Sequence, residues 1–342
     1  MIQKKYFLKT RTPAKLILSG EHAIVYGHSA LAVAINYYTN VIIHWSTSLH
    51  FSFNFVNIGF KRSVALQTLR KLKRTLKDKY KKYRSKHLNI QEVLKESSEL
   101  LLFTFINVLD NLKSISLPFG IDIIIDSNIP IGYGIGSSAA SIMGLIHALT
   151  HFLDANFDLE KCFTLGMESE NLQHGYSSGL DLHTVYHGGS FLYEKGQFKK
   201  RLIKNFSMQL VQTGKPKSST GACVSQVSSY FKKSHIGDDF SAVTNEFDQA
   251  LQKGNYEKVK NCIQKNHQLL KTIGVVPDKV DRFIIDIEKT GGAAKICGAG
   301  SVKGDNGGII LVVSDASINN LIEQYRYTIM PIQIDSQGTH IV

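Results

Sequence analysis

Between Pro130 and Ala140 the chain reads Pro-Ile-Gly-Tyr-Gly-Ile-Gly-Ser-Ser-Ala-Ala, so that Gly132, Gly134 and Gly136 alternate with larger residues and Ser137, Ser138 and Ala139 lead into an apolar run. The first N–H groups of a helix have no partner within it and lie at the positive end of its dipole. Glycines let such a backbone approach an anion closely, so the pattern suits phosphate. A plain turn before a helix is the competing reading, because no Lys-Ser/Thr pair follows the last glycine. The loop also lies too late in the chain for a dinucleotide fingerprint in a first strand–helix unit. The two serine hydroxyls suit an N-cap or a magnesium ion.

Three further clusters carry groups with chemistry. In Pro13-Ala14-Lys15-Leu16-Ile17-Leu18-Ser19-Gly20-Glu21-His22 a lysine begins an apolar strand, and an acid and a histidine follow the glycine at its end. Alone, Lys15 reads equally as a strand-edge lysine and His22 as a loop histidine. In the segment Glu168 to Asp181, Glu170 nears the end of a helix and Gly175 to Gly179 form a turn of small residues. Asp181 then enters a strand on this reading. A carboxylate there could take a proton from a substrate hydroxyl, orient that hydroxyl, or merely cap the turn. In Lys295 to Ser301 a strand runs into the glycine loop Gly298-Ala299-Gly300, which is either a ligand-facing loop or a hairpin turn.

The elements that position these groups follow from periodicity. Strands are expected at Tyr6–Thr10, Ala14–Ser19, Ala30–Ile35, Thr39–Trp45, His50–Phe55 and Gly120–Asp126, and a hairpin pairs Thr184–Tyr186 with Ser190–Glu194. Helices are expected over the basic segment, at Gln91–Leu112, after Ser138 and at Leu159–Gln173. Past Gly196 a strand at Met208–Gln212 precedes four helical stretches, at Gly221–Phe231, Phe240–Leu251, Tyr256–Ile273 and Pro277–Thr290. Strands at Ala293–Cys297 and Gly308–Val313, a helix at Ala316–Tyr325 and a strand at Thr328–Gln333 close the chain. Strands mixed with amphipathic helices indicate an α+β fold of two domains, 1–203 and 204–342.

Taken together, the clusters resemble the GHMP small-molecule kinases over nearly the whole chain, and most closely the branch that acts on mevalonate. Gly20-Glu21-His22-Ala23-Ile24-Val25-Tyr26-Gly27 is similar to that branch's first motif, Pro130 to Ala140 to the family's phosphate loop, and His174-Gly175-x-x-Ser178-Gly179-x-Asp181 to the segment bearing its catalytic aspartate. The resemblance implies an N-terminal α/β domain with a left-handed βαβ-type nucleotide site and a ferredoxin-like C-terminal domain. It implies ATP and Mg2+. Asp181 and Lys15 would be catalytic, and Ser138 and Glu170 would hold the metal. Gly132, Gly134, Gly136, Ser137, Ser138 and Ala139 would cradle the phosphates. Glu21, His22, Thr220, Gly298, Ala299 and Gly300 would line the acceptor pocket. Mevalonate is the implied acceptor, with phosphomevalonate, homoserine or a sugar as alternatives, and a non-catalytic sensor of ATP as a more distant one. A homodimer is compatible with the resemblance. The chain departs from the family pattern at Ser177, where Pro is usual, and at Ser301-Val302-Lys303, which interrupt the third motif's glycines.

Composition bounds this reading. The chain's 342 residues suffice for sizeable cores, and 43% hydrophobic with 20% charged residues reads as globular. Cys162, Cys223, Cys262 and Cys297 are far apart with no CxxC pair, which argues against a zinc site and fits a reducing, cytoplasmic setting. No membrane-spanning run and no apolar leader is expected. The net charge of +12 is concentrated between Lys61 and Lys86, where twelve Lys/Arg face one acid, Asp78. Leu66, Leu69, Leu72, Leu76, Tyr80 and Tyr83 recur there at helical spacing, so the segment reads as an amphipathic helix with a basic outer face. A solvated face, or one steering anions, accounts for the charge better than nucleic acid does, since no wider aromatic stacking platform accompanies it.

Overall fold

The computed structural model describes residues 6–46, 48–112, 119–203 and 208–342. Two long strands, β1 (Phe7–Ser19) and β2 (Ala30–Trp45), form the spine of the first sheet and pair antiparallel along most of their length. Each replaces two shorter strands expected from the sequence. The pairing slips at Pro13/Ala14 and again at Ile17/Ser19, so β1 bends rather than ends. Pro13 has no N–H to give a ladder and sits at the first of these irregularities. A hairpin of β3 (Phe51–Phe55) and β4 (Phe60–Val64) joins through β5 (Ile121–Ser127), which runs antiparallel to β2 and parallel to β3.

Helices α1 (Leu66–Arg84) and α2 (Ser97–Leu109) connect β4 to β5. The helix α3 (Ser137–Phe152) follows the glycine loop after β5 and packs on β1 and β2, with α2, α4 (Leu159–His174) and α5 (Leu180–His187) around it. Its buried face carries Ala139, Ala140, Ile142, Met143, Leu145 and Ile146. The small alanines let the helix start approach the sheet. The basic helix is confirmed over Leu66–Arg84, whereas Lys61 and Arg62 belong to β4. Its inner residue Leu76 packs with Phe103 of α2 and Leu172 of α4. Part of its charge is spent internally: Arg70 and Lys73 pair with Asp110 and Lys77 pairs with Glu168.

The expected hairpin from Thr184 is not formed. Leu180–His187 is helical (α5), and the hairpin is instead β6 (Ser190–Glu194) with β7 (Gln197–Arg201), carried on the first half of β2. Thr184 and Val185 are β-formers, but the helical turn buries Leu182 and Val185 in the main core and Leu180 in a second cluster with Ile24 and Phe191, and packing overrides propensity.

The second sheet contains β8 (Gln209–Gln212), β9 (Ala293–Ile296), β10 (Ile309–Val313) and β11 (Thr328–Met330), in the all-antiparallel order β11-β8-β10-β9. This is the ferredoxin-like order, with the first crossover enlarged into α6 (Thr220–Lys233), α7 (Ile236–Lys253), α8 (Tyr256–Thr272) and α9 (Asp278–Lys289). Helix α10 (Asn319–Tyr325) makes the second crossover. The expected division at 203/204 falls on residues outside the described ones. One apolar cluster runs across both sheets, including Leu16 and Leu18 of β1, Phe247 of α7, Ile263 of α8 and Leu311 of β10. A last strand, β12 (His340–Ile341), returns to the first sheet beside β1. Among the described residues no helix is long and apolar enough to cross a membrane.

Candidate active site

Lys15 is buried on β1, and its Nζ lies 2.9 Å from Asp181 Oδ2 and 3.4 Å from the Gly134 carbonyl. Two residues 166 positions apart thus meet because β1 and α5 both pack on α3. Asp181 does not enter a strand: it stands in the first turn of α5, behind Gly179 in the left-handed conformation. A carboxylate there is stabilised by the helix dipole.

The glycine loop is anchored where it passes Lys15, whose backbone N–H donates to Ile135 O at 3.0 Å. Gly136 caps α3 at φ 82°, and a Cβ there would lie 2.7 Å from Lys15 Cγ. Any side chain at 136 would therefore be strained and would displace the lysine. No side chain caps α3, which leaves its leading amides, with the half-buried hydroxyls of Ser137 and Ser138, to meet an anion.

Glu170, on the last turns of α4, is buried and its pKa is pushed up to about 8. Burial is the larger cause and the Asp181 charge the next, while the Ser177 hydroxyl, which donates to Glu170 Oε2, pulls the other way. A buried carboxylate that feels the Asp181 charge is relieved by a proton or a cation beside it. Magnesium would be such a cation, with Ser138 and Glu170 as the hard oxygen donors that the family resemblance implies. Among the described residues no group of three or more His, Cys, Asp or Glu gathers around a metal position. Ser177, where the family pattern has Pro, ties the turn down: its N–H donates to Asn171 Oδ1 at 2.8 Å and its Oγ accepts from Gly179 N at 3.0 Å. Tyr80 of the basic helix donates to Gly175 O at 2.9 Å, so α1 braces this same turn.

At the far end of β1, His22 takes a positive φ of 60° and its Nε2 lies 3.0 Å from Ala299 O. This contact joins the first cluster to the third. Burial lowers the His22 pKa to about 4, so the ring is neutral near pH 7. Its Nδ1 is buried with no partner among the described residues. Glu21 differs from expectation. It is almost wholly buried, bonded to the equally buried Lys295 Nζ and 3.3 Å from Asn266 Nδ2. It is the acid partner that a lysine inside the buried strand Ala293–Ile296 must have. Gly298 presses on the phosphate loop, since a Cβ on it would lie 3.0 Å from Gly134 Cα. Gly300 is fixed against Val275 O, 2.3 Å from where its Cβ would stand. Thr220 opens α6 and is exposed, and no contact brings it to Asp181. His174, which the motif includes without a role, has its Nδ1 buried without a partner among the described residues, and burial holds its pKa low, against the pull of Asp181.

A phosphate-binding loop entering a helix, a lysine–aspartate pair and a buried carboxylate beside them, set between a mixed sheet and a ferredoxin-like sheet, define a small-molecule kinase of the GHMP type. A profile of the GHMP kinases N terminal domain matches residues 101–189. The chain is 30% identical over 293 residues to the mevalonate kinase of Archaeoglobus fulgidus, covering 84% of this chain and 87% of the relative. The Mus musculus mevalonate kinase is 26% identical over 332 residues, covering 86% and 84%. Among solved structures, the Methanococcus jannaschii mevalonate kinase superposes with a TM-score of 0.76 at 26% identity, covering 97% of this chain and 99% of that one. Lactococcus lactis galactokinase reaches the same TM-score, 0.76, at 14% identity, so the fold alone does not select an acceptor. The chain belongs to the mevalonate kinase family of the GHMP kinases.

Proposed function

We propose that this protein transfers the γ-phosphoryl group of ATP to the 5-hydroxyl of mevalonate, giving 5-phosphomevalonate and ADP. The observation that carries the reading is the Lys15–Asp181 pair, 2.9 Å apart and touching the carbonyl of Gly134 in the phosphate loop. The acceptor hydroxyl would lie against Asp181, which takes its proton or fixes its direction as the oxygen attacks the γ-phosphorus. The bond from that phosphorus to the β–γ bridging oxygen breaks, and ADP leaves. Lys15 would compensate charge on the transferring group, and the amides of the loop would hold the remaining phosphate oxygens. Ser138 and Glu170 would hold Mg2+, which would supply charge neutralisation to the phosphates when bound. Neutral His22, fixed by Ala299 O, would present Nδ1 to the acceptor. Placement in line does most of the remaining work, since phosphoryl transfer needs little covalent help from the protein. The two domains are proposed as residues 1–203, which bind ATP, and 204–342, with β12 returning to the first sheet.

A coupled ADP-release assay across mevalonate, phosphomevalonate, homoserine and galactose tests the acceptor. Turnover confined to mevalonate is expected, and turnover with another alcohol in its place defeats the assignment.

A further inference from the structure

The phosphate loop has no cation of its own, since residues 129–140 include no Lys, Arg or His. Lys15 is committed to Asp181 and to Gly134 O, and Lys295 to Glu21. Lys15, which would compensate charge on the transferring group, is shared with Asp181, so the rest of a polyphosphate meets no cation from these residues. One lies across the site, on the loop after β8. A Cβ built on Gly132 would stand 3.1 Å from Lys215 Cε and 3.9 Å from its Nζ, so this side chain rests on the outer edge of the phosphate loop. Lys215 is exposed and pairs with no carboxylate among the described residues.

The backbone that delivers it is held in place. Thr213 N donates to Gly308 O at 2.9 Å, Gly307 N donates to Thr213 Oγ1 at 3.0 Å, and Asn306 Nδ2 donates to Lys215 O at 3.4 Å. Gly214 takes φ 109°, and a Cβ there would meet Asn306 Nδ2 at 2.5 Å. Gly308 itself lies against Tyr133 O, 3.1 Å from where its Cβ would be. Two tied segments of the ferredoxin-like domain thus cover the loop, and the one side chain they extend over Gly132 ends in a positive charge.

We propose that Lys215 is the phosphate-binding cation of this site, its amine reaching from the second domain over Gly132 to the polyphosphate of the bound nucleotide. The inference rests on the kinase reading. A flexible ammonium is suited to this role, since it serves as a point charge that can follow the phosphates as they shift. It also explains how a loop without a P-loop lysine can hold a triphosphate.

The test is calorimetric titration of the full chain with ADP, a non-hydrolysable ATP analogue and adenosine, in the wild type, Lys215→Ala, Lys215→Arg and Lys217→Ala. Loss of a charge-assisted contact should weaken ADP and the analogue about ten- to hundredfold in Lys215→Ala. Adenosine affinity and thermal midpoint should hold, Lys215→Arg should recover most of the binding, and Lys217→Ala, whose side chain lies on Gly304 instead, should bind as wild type. Unchanged ADP affinity in Lys215→Ala, or an equal loss for ADP and adenosine, overturns the inference and leaves the kinase reading intact. A wild-type protein that binds neither ADP nor the analogue overturns the kinase reading and the inference with it.

Discussion

Replacing Lys295 by Met should expose how the acceptor pocket is braced. Lys295 is fully buried and Glu21 has 1% of its surface exposed, so the pair is shielded from water and salt. Removing one partner of such a pair leaves a buried charge uncompensated, at a cost of roughly 3–5 kcal/mol. Burial already raises the Glu21 pKa, and Lys295 is the main group opposing that rise. In Lys295→Met the carboxyl must therefore take up a proton or move toward water. Because the folded state would then favour protonated Glu21, the destabilisation should shrink as pH falls and grow as it rises. Motion of Glu21 would carry its neighbour His22, which stands at φ 60° and depends on the contact with Ala299 O. Urea denaturation with linear extrapolation measures the stability loss, and steady-state kinetics should show the acceptor KM rising while the ATP KM holds. The double variant Glu21→Gln/Lys295→Met should recover much of the stability, since it removes both charges. A loss in Lys295→Met below about 1 kcal/mol, the net worth of an ordinary hydrogen bond, would refute the brace.

Three other outcomes follow from the geometry. With Glu170 at about pKa 8, metal binding must displace its proton, so apparent Mg2+ affinity should rise about tenfold for each pH unit up to about 8 and then level off; Glu170→Gln should bind Mg2+ weakly and without that slope. His22 and His147 both have pKa values held near 4 by burial, below the ordinary 6.5, so the unfolded chain binds protons that the folded chain refuses. Their stabilising effect is present above 6.5 and lost as pH falls toward 4, up to about 3 kcal/mol for His22, which acid titration of the urea midpoint would detect. Gly136→Ala should cost about 1 kcal/mol for its left-handed backbone and, because its Cβ would press on Lys15 Cγ at 2.7 Å, should lower kcat more than it lowers stability.

The site's parts were readable where a residue type is unusual for its setting: glycines before a helix, a lysine in an apolar strand, an acid beside small residues. The positions of α3, α7, α8 and α9 and of the strands of the second sheet follow from periodicity, whereas the order of that sheet was implied by the family resemblance alone. What the sequence hid was local context. Asp181 reads as entering a strand because Thr184, Val185 and Tyr186 favour strands, whereas burial of Leu182 and Val185, three residues apart, in the main core and of Leu180 in a second cluster makes a helix. Strand β4 was missed because its residues Lys61 to Ser63 are polar and exposed, and β12 because two residues carry no period. Lys295 carried a signal that could have been used, since a lysine flanked by Ala294 and Ile296 in a buried strand requires an acid. Lys215 and Tyr80 carried none: their parts in the site arise from packing between segments distant in sequence.

The central claim is that Asp181 and Lys15 transfer phosphoryl from ATP to mevalonate. It is tested most directly by ADP release with mevalonate, ATP and Mg2+, comparing the wild type with Asp181→Asn. Turnover in the wild type, a fall of about 10²–10⁴-fold in the variant and retained nucleotide binding are expected. Absence of turnover with mevalonate in the wild type, or near-normal activity in Asp181→Asn, would contradict it.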